Sequence, residues 1–326
     1  MDEGDRQSGA APEGTGRPRV VALGGGHGLA VTLSAVCRYA GRVTAVVSAA
    51  DDGGSSGRLR TWWEGPAPGD VRRCLLALAG SGPREKVWAD ALDYRFSDRS
   101  GELAGHSLGN LVLVALSQTT GDFVAATAEL AHLLGVTARI LPATSEAVEL
   151  CAEIGGGEVA GQANVAHSVA PIRRVWLRPP DPAAPAEVLA AIASADQVVL
   201  GPGSLFTSVL AVCAVPGIRQ ALAERDGGRV YVCNLRPQDP ETAGYDADAH
   251  LAALAAHGVA IDAILCDQST TVGVPGPAAA LGAEPGPRAV RVVAAPVAGP
   301  SGHSHDPALL ADVLARLARS DDLRPV

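Results

Sequence analysis

The chain has 326 residues, a formal net charge of −9, 47% hydrophobic residues and only 19% charged ones. That length can bury a large core, and the acidic balance excludes a general nucleic-acid or membrane-surface binder while leaving room for a local basic pocket around a phosphate. No apolar run reaches membrane-spanning length, and six scattered cysteines without a C-x-x-C pair read as buried thiols of a reducing compartment, so a cytoplasmic protein is expected.

Residues 1–18 are polar, rich in glycine and proline and without an apolar h-region, which predicts a disordered leader and not a signal peptide. Residues 20–23 are apolar, 24–26 are glycines, His27 and Gly28 follow, and from Leu29 apolar residues recur at helical spacing through Leu33 and Val36. The pattern is strand, glycine turn, helix. Glycine lets the backbone turn sharply with its N–H groups exposed, and the helix start behind them adds partial positive charge, which makes a cradle for phosphate. The spacing departs from G-x-G-x-x-G because Leu29 stands where the third glycine belongs, and from a P-loop because no lysine follows; Lys86 is the sole lysine. A nicotinamide-dependent oxidoreductase therefore rests on fold analogy alone.

A second strand, residues 43–49, ends in Asp51 and Asp52 ahead of a glycine-serine turn, residues 53–57, that holds Ser55 and Ser56. In a doubly wound sheet the carboxyl ends of neighbouring strands open on one crevice, so this turn and the first are expected to face one ligand. The carboxylates there suit ribose hydroxyls, or a divalent cation held against phosphates.

Trp62 and Trp63 are expected to pack, and Pro68-Gly69-Asp70 to place an acidic N-cap before a helix over 71–78. Arg72 and Arg73 then fall in a first turn, where positive charge opposes the helix dipole, so one of them either holds an anion or makes a surface salt bridge. Arg58 and Arg72 are the candidates for an anion. The charged stretch 83–100 reads as a solvated helix and loop. Gly105-His106-Ser107-Leu108-Gly109-Asn110 opens an apolar helix over 111–116. Its G-x-S-x-G spacing is formally that of a serine hydrolase, but residues 102–104 do not make the strand a nucleophile elbow requires, so His106 and Asn110 read as ligand contacts.

A helix over 121–134 and a strand over 139–141 precede two strands, 158–162 and 170–177, read as a hairpin beside the parallel sheet. A proline-rich surface connection, 178–185, leads to a helix over 186–193. The strand 197–200 then runs into Gly201-Pro202-Gly203-Ser204-Leu205-Phe206-Thr207-Ser208, a second glycine turn and helix start, with the hydroxyls of Ser204, Thr207 and Ser208 on offer. Two such turns point to two faces of a single phosphate-lined cleft. A strand over 230–234 ends at Asn234, and a polar loop follows to 245. A helix over 247–257, a strand over 261–266, a glycine- and proline-rich loop over 269–287, a last strand over 289–296 and a terminal helix over 307–319 complete the chain. His250 and His257 lie seven apart with no third ligand in register, which predicts solvent or capping roles instead of zinc.

GGGHGL at 24–29, SAADDGGSSGRLR at 48–60, PGDVRRCLLALA at 68–79, GHSLGNLVLVAL at 105–116 and LGPGSLFTSVL at 200–210, in that order, resemble the CofD/YvcK family. They fit its YvcK branch, the gluconeogenesis factors, better than its 2-phospho-L-lactate transferase branch. The resemblance runs from about residue 20 to 317. It implies a Rossmann-like three-layer α/β/α fold with a mostly parallel, doubly wound sheet, in one domain over 19–320 with a tail at 321–326. It also implies a cytoplasmic homodimer that binds UDP-sugars such as UDP-N-acetylglucosamine or UDP-glucose and is linked to cell shape, cell-wall homeostasis and gluconeogenic growth, with neither nucleic acid nor membrane as partner. By position, Gly25, Gly26 and Gly28 would hold the diphosphate, with His27 inside the turn and Asp51 and Asp52 beside it. His106, Asn110, Gly203 and Ser204 would complete the cleft, and Ser55, Ser56, Thr207 and Asn234 join them from the same turns. The transferase branch implies the alternative, in which Mg²⁺ on Asp51 and Asp52 assists transfer of a phospholactyl-type group from a guanylylated donor to a deazaflavin precursor. Two departures stand out: His27 replaces the usual Thr or Ser, and Arg236-Pro237-Gln238-Asp239-Pro240 replaces a more polar stretch. With no convincing nucleophile and base, a binding regulator is expected ahead of an enzyme.

Overall fold

The computed structural model describes residues 16–269 and 290–319. The leader as far as residue 15, the glycine- and proline-rich loop from residue 270 and the tail over 321–326 lie outside the described residues.

The chain opens with β1 (Arg19–Gly24), α1 (Gly26–Val36), β2 (Arg42–Val47), α2 (Gly54–Leu59), α3 (Pro68–Ala77), α4 (Pro83–Asp93), α5 (Leu108–Thr120), α6 (Phe123–Leu133) and β3 (Arg139–Pro142). A smaller excursion follows: β4 (Glu149–Ile154), β5 (Gly157–Ala160), α7 (Gln162–Ala166) and β6 (Ile172–Arg178). The return comprises α8 (Ala186–Ser194), β7 (Gln197–Leu200), a π-helical segment Leu205–Leu210 continued by α9 (Ala211–Cys213), α10 (Pro216–Ala223), β8 (Arg229–Val232), α11 (Ala247–Ala256), β9 (Ala263–Asp267), β10 (Arg291–Ala295) and α12 (Pro307–Arg319).

Seven strands form one sheet in the order β10-β9-β8-β7-β1-β2-β3, each pair parallel. The chain works outward from β1 to β3, then returns to the other side of β1 and works outward again from β7 to β10. The boundary between β1 and β7 is therefore the topological switch point, where the loops diverge and a crevice opens beyond the carboxyl ends.

Both faces of the sheet are covered, which is why its strands are apolar without alternation. In β1, Val20 and Ala22 join one core with Leu29, Leu33 and Val36 of α1, Val71 and Leu75 of α3, and Leu310 and Leu314 of α12. Val21 and Leu23 join a second core with Val188 and Ile192 of α8, Phe206 and Val209 of the π-helical segment, and Leu251 and Leu254 of α11. The layers are helix, sheet, helix.

The excursion corrects one expectation. The two strands read as a hairpin do not pair with each other; β5 and β6 each lie antiparallel to β4, on opposite sides of it. The overlooked strand β4 turns into β5 through Gly155 and Gly156, both at positive φ, the conformation a two-residue hairpin turn demands. Other readings also shift. Trp63 is buried with its ring 5.7 Å from that of Phe123, whereas Trp62 is exposed, so only the first of the two packs as expected. The residue capping α3 is Ala67, and Asp70 falls inside its first turn. His250 is buried with Nδ1 2.7 Å from the Tyr231 hydroxyl and is a core residue, whereas His257 caps the end of α11 as expected, its Nδ1 2.7 Å from Ala253 O and its Nε2 accepting from Val175 N at 3.1 Å. No single described helix is long and apolar enough to cross a membrane.

Candidate functional site at the sheet switch point

The two glycine turns leave adjacent strands and touch. A Cβ on Gly28 would stand 2.6 Å from the Pro202 carbonyl carbon and 2.8 Å from the Gly203 Cα, so the first turn of α1 lies directly on the backbone of the second turn. Gly26 takes φ +59° with open space around it, and Gly203 takes φ +135°, backbone states that side-chain-bearing residues rarely adopt. His27 between them is exposed. The two sheet exits thus meet at the switch point, and backbone, not aliphatic packing, fills the contact between them.

Each helix start already has an anion of its own. Asp70, reaching across from α3, accepts from Gly26 N; its Cγ lies 3.4 Å from where a Gly25 Cβ would be, beside the Ser208 hydroxyl. Burial, and then the neighbouring Asp51, push the Asp70 carboxyl up to about 6, although Arg73 pairs with it. At the second turn Glu241 accepts from Phe206 N at 2.7 Å, Thr207 N at 3.1 Å and the Thr207 hydroxyl at 2.9 Å, with Ser204 also bonded to it. Burial raises its carboxyl above the usual range. Asn234 holds the same turn from the side, accepting from Gly203 N and donating to Gly203 O, both at 2.9 Å. Thr207 and Asn234 therefore brace the turn, and Glu241 accepts from the Thr207 amide and hydroxyl that the sequence offers to a ligand.

Asp51 and Asp52 face apart. Asp51 accepts from Gly53 N at 3.1 Å and lies against Gly69, where a Cβ would stand 2.5 Å from the Ser56 hydroxyl and 3.5 Å from the Asp51 Cγ. Asp52 turns the other way and accepts from Ala163 N at 2.8 Å, capping α7. The carboxylate facing Asp51 is Asp70, not its sequence neighbour. That pair, with the Ser56 hydroxyl alongside, is a donor set for one divalent cation that would also bind substrate oxygens, and a cation there would relieve the repulsion that raises Asp70. No group of three or more His, Cys, Asp or Glu suited to a metal occurs among the described residues.

On the α2 side, the Ser55 hydroxyl stands 3.1 Å from His106 Nδ1 and accepts from Ser107 N at 3.3 Å, and Asn110 reaches Ser56 at 3.5 Å. Burial, and then Arg58 and Arg95, hold His106 below the usual imidazole range, so it is neutral at pH 7. A serine next to an imidazole resembles a nucleophile and its base. A base needs a carboxylate to steady the imidazolium, however, and here the charged neighbours are guanidiniums that oppose it. Of the anion candidates, Arg58 donates to the carbonyls of Glu102 and Ala104, and Arg72 donates to Asn110 Oδ1 at 3.1 Å and pairs with Asp93. Both are committed to the protein itself.

The residues that sequence reasoning missed are Asp70 and Glu241. Asp70 was visible only as a helix cap, and Glu241 only as one acid in a polar loop. A cavity of about 820 Å³ lies elsewhere, at the amino ends of β7 and β8 beside Asp196, Gln197, Arg225 and Gly228. Its polar walls are bonded to the chain: Gln197 donates to Leu314 O at 3.1 Å and Arg225 to Ala195 O at 3.0 Å. Sites in parallel sheets gather at the carboxyl ends, so the geometry favours the switch point over this cavity.

This fold defines a doubly wound, Rossmann-like α/β protein with a candidate site at the sheet's switch point. The family profile described as 2-phospho-L-lactate transferase CofD matches residues 20–275. A Mycobacterium tuberculosis protein named "Putative gluconeogenesis factor" is 46% identical over 258 residues, 76% of this chain and 75% of its own. The Bacillus subtilis protein named "Gluconeogenesis factor" is 39% identical over 242 residues, 74% of this chain and 75% of its own. A crystal structure of a UPF0052 family member from Bacillus halodurans superposes with a TM-score of 0.84 at 34% identity, covering 92% of this chain and 99% of that one. The chain belongs to the CofD family, on the branch whose members carry the gluconeogenesis-factor name.

Proposed function

We propose that the protein is a nucleotide-sugar-binding regulator, taking the diphosphate of a UDP-sugar of the UDP-N-acetylglucosamine or UDP-glucose type at the β1–β7 switch point. As a cytoplasmic homodimer it would link that ligand to cell shape, cell-wall homeostasis and growth on gluconeogenic carbon. The observation that carries the reading is the contact of Gly28 with Pro202 and Gly203, which puts two glycine turns side by side at the crevice. The Ser55–His106 pair without an acid supports binding ahead of turnover. Calorimetry with UDP-N-acetylglucosamine, UDP-glucose and GDP tests it; failure to bind any uridine nucleotide would sink it.

The Asp51–Asp70 pair favours one rival, a Mg²⁺-dependent transferase of phosphorus-containing groups acting on a deazaflavin acceptor. Asp51 and Asp70 would hold the ion, which would supply charge neutralisation between donor phosphates. Around it, the Ser56 hydroxyl and the Gly26 turn would position the donor. Mg²⁺-dependent release of guanosine monophosphate in the presence of the deazaflavin acceptor would favour this reading over the first.

A further inference from the structure

Beside the crevice lies a second concavity whose chemistry differs from that of the glycine turns. Arg58, at the end of α2, donates to Glu102 O at 2.7 Å and to Ala104 O, tying α2 to the helical turn Gly101–Leu103. The Thr61 hydroxyl donates to Arg58 O at 2.7 Å and closes the turn that presents Trp62. Here lies a groove of about 440 Å³ lined by Trp62, Glu102, Leu103, His106 and Leu111. Its volume falls in the range of small-molecule sites.

Three features narrow what the groove can hold. Trp62 is 59% exposed and Leu103 44%, a large flat apolar surface that no described residue covers, while its neighbour Trp63 is buried in the core. The guanidinium of Arg58 is committed to two carbonyls, and Glu102 offsets its charge with a carboxylate, so the groove offers phosphate neither a free donor fork nor a net positive charge. His106, its Nδ1 held by Ser55, brings an uncharged imidazole that belongs to both the groove and the crevice. An aromatic face flanked by a carboxylate and a neutral imidazole matches a ring with an apolar C–H face and an equatorial fringe of hydroxyls.

We propose that this groove seats an uncharged glycosyl ring, its C–H face on the Trp62 indole and its hydroxyls on the Glu102 carboxylate and the His106 imidazole. The inference deepens the nucleotide-sugar reading and rests on it: the crevice takes the diphosphate, and the groove that shares His106 takes the sugar. Trp62 is the residue that discriminates a sugar-bearing nucleotide from the bare nucleotide.

The test is calorimetry on the full chain with two probes, UDP-N-acetylglucosamine and UDP, for the wild type, Trp62→Ala and Trp62→Phe. Trp62→Ala is expected to weaken the sugar nucleotide about tenfold and to leave UDP within about twofold, with Trp62→Phe recovering most of the loss. Binding of UDP-N-acetylglucosamine, and not UDP, should quench indole fluorescence in the wild type, and that quench should be absent from Trp62→Ala. A wild type that binds UDP as tightly as the sugar nucleotide overturns the groove while leaving the diphosphate site standing. So does a Trp62→Ala variant that loses both probes alike, or neither. A wild type that binds neither probe overturns the nucleotide-sugar reading, and the groove with it.

Discussion

Gly28 lies on Pro202 with no room for a side chain between them, and this contact fixes the start of α1 against the exit of β7. The collision would be with backbone, which cannot swing aside as a flexible side chain can. Gly28→Ala is therefore expected to lower the unfolding free energy by about 3 kcal/mol. Gly26→Ala meets only open space and suffers from its φ of +59° alone, so about 1 kcal/mol is expected. Urea denaturation of the two variants reads the difference, and equal costs would contradict the described contact.

Glu241 is the internal anion of the second turn, and its removal leaves Phe206 N and Thr207 N buried without an acceptor. Glu241→Ala is expected to cost about 2–4 kcal/mol, because the lost bonds are charge-assisted and sit at a helix start. Glu241→Gln keeps one carbonyl oxygen in place and should cost about half as much. Hydrogen exchange should show the amides of Phe206 and Thr207 losing protection in the Ala variant ahead of the rest of the sheet. Unchanged protection there would mean that another group supplies the cap.

What the sequence made legible follows from the range of the interactions involved. The glycine turns after residues 23 and 200 and the terminal helix Pro307–Arg319 are local patterns, and local patterns are readable in a single chain. The partners of those turns were not readable, because Asp70 reaches Gly26 from another helix and Glu241 reaches Phe206 across 35 positions. The same limit explains Asp51 and Asp52. Adjacent residues leaving a strand point to opposite sides, and which side meets the crevice depends on where α3 and α7 pack, which no local spacing encodes. The strand β4 was lost for a different reason: its Gly155-Gly156 turn was a hairpin signal that the glycine-rich surroundings concealed.

The buried carboxyl of Asp70 makes a pH prediction of definite sign. Its folded value, about 6, lies above the ordinary 3.8, so the folded state holds this proton more tightly than the unfolded chain does. The cost of burying the ionised form therefore arrives as pH rises from about 4 to about 6 and stays constant above that, amounting to about 3 kcal/mol. Asp70→Asn removes the titration while keeping an oxygen for Gly26 N. The stability of the variant relative to the wild type should accordingly climb by about that amount between pH 4 and pH 7. His250 and His305, which burial pushes down to about 4, titrate in the opposite sense as pH falls below 6.5, and they cancel because both proteins contain them. A relative stability that stays flat with pH would show that Asp70 titrates in the folded protein as it does in the unfolded chain.

Asp51 and Asp52 separate the two functional readings because they face apart. Asp52 caps α7 through Ala163 N, so Asp52→Asn should cost about 1 kcal/mol or less and leave both nucleotide and cation binding alone. Asp51 faces Asp70, so Asp51→Asn removes the like charge and should bring the Asp70 carboxyl back down toward its ordinary range. It also removes half of the carboxylate pair a divalent cation would need. Thermal unfolding across pH 4–7 reads the first effect, and thermal unfolding with and without Mg²⁺ reads the second. Any Mg²⁺-dependent rise in melting temperature should vanish in Asp51→Asn and in Asp70→Asn and persist in Asp52→Asn. A rise abolished by Asp52→Asn instead would place the ion on the α7 side and remove the structural basis for the transferase reading.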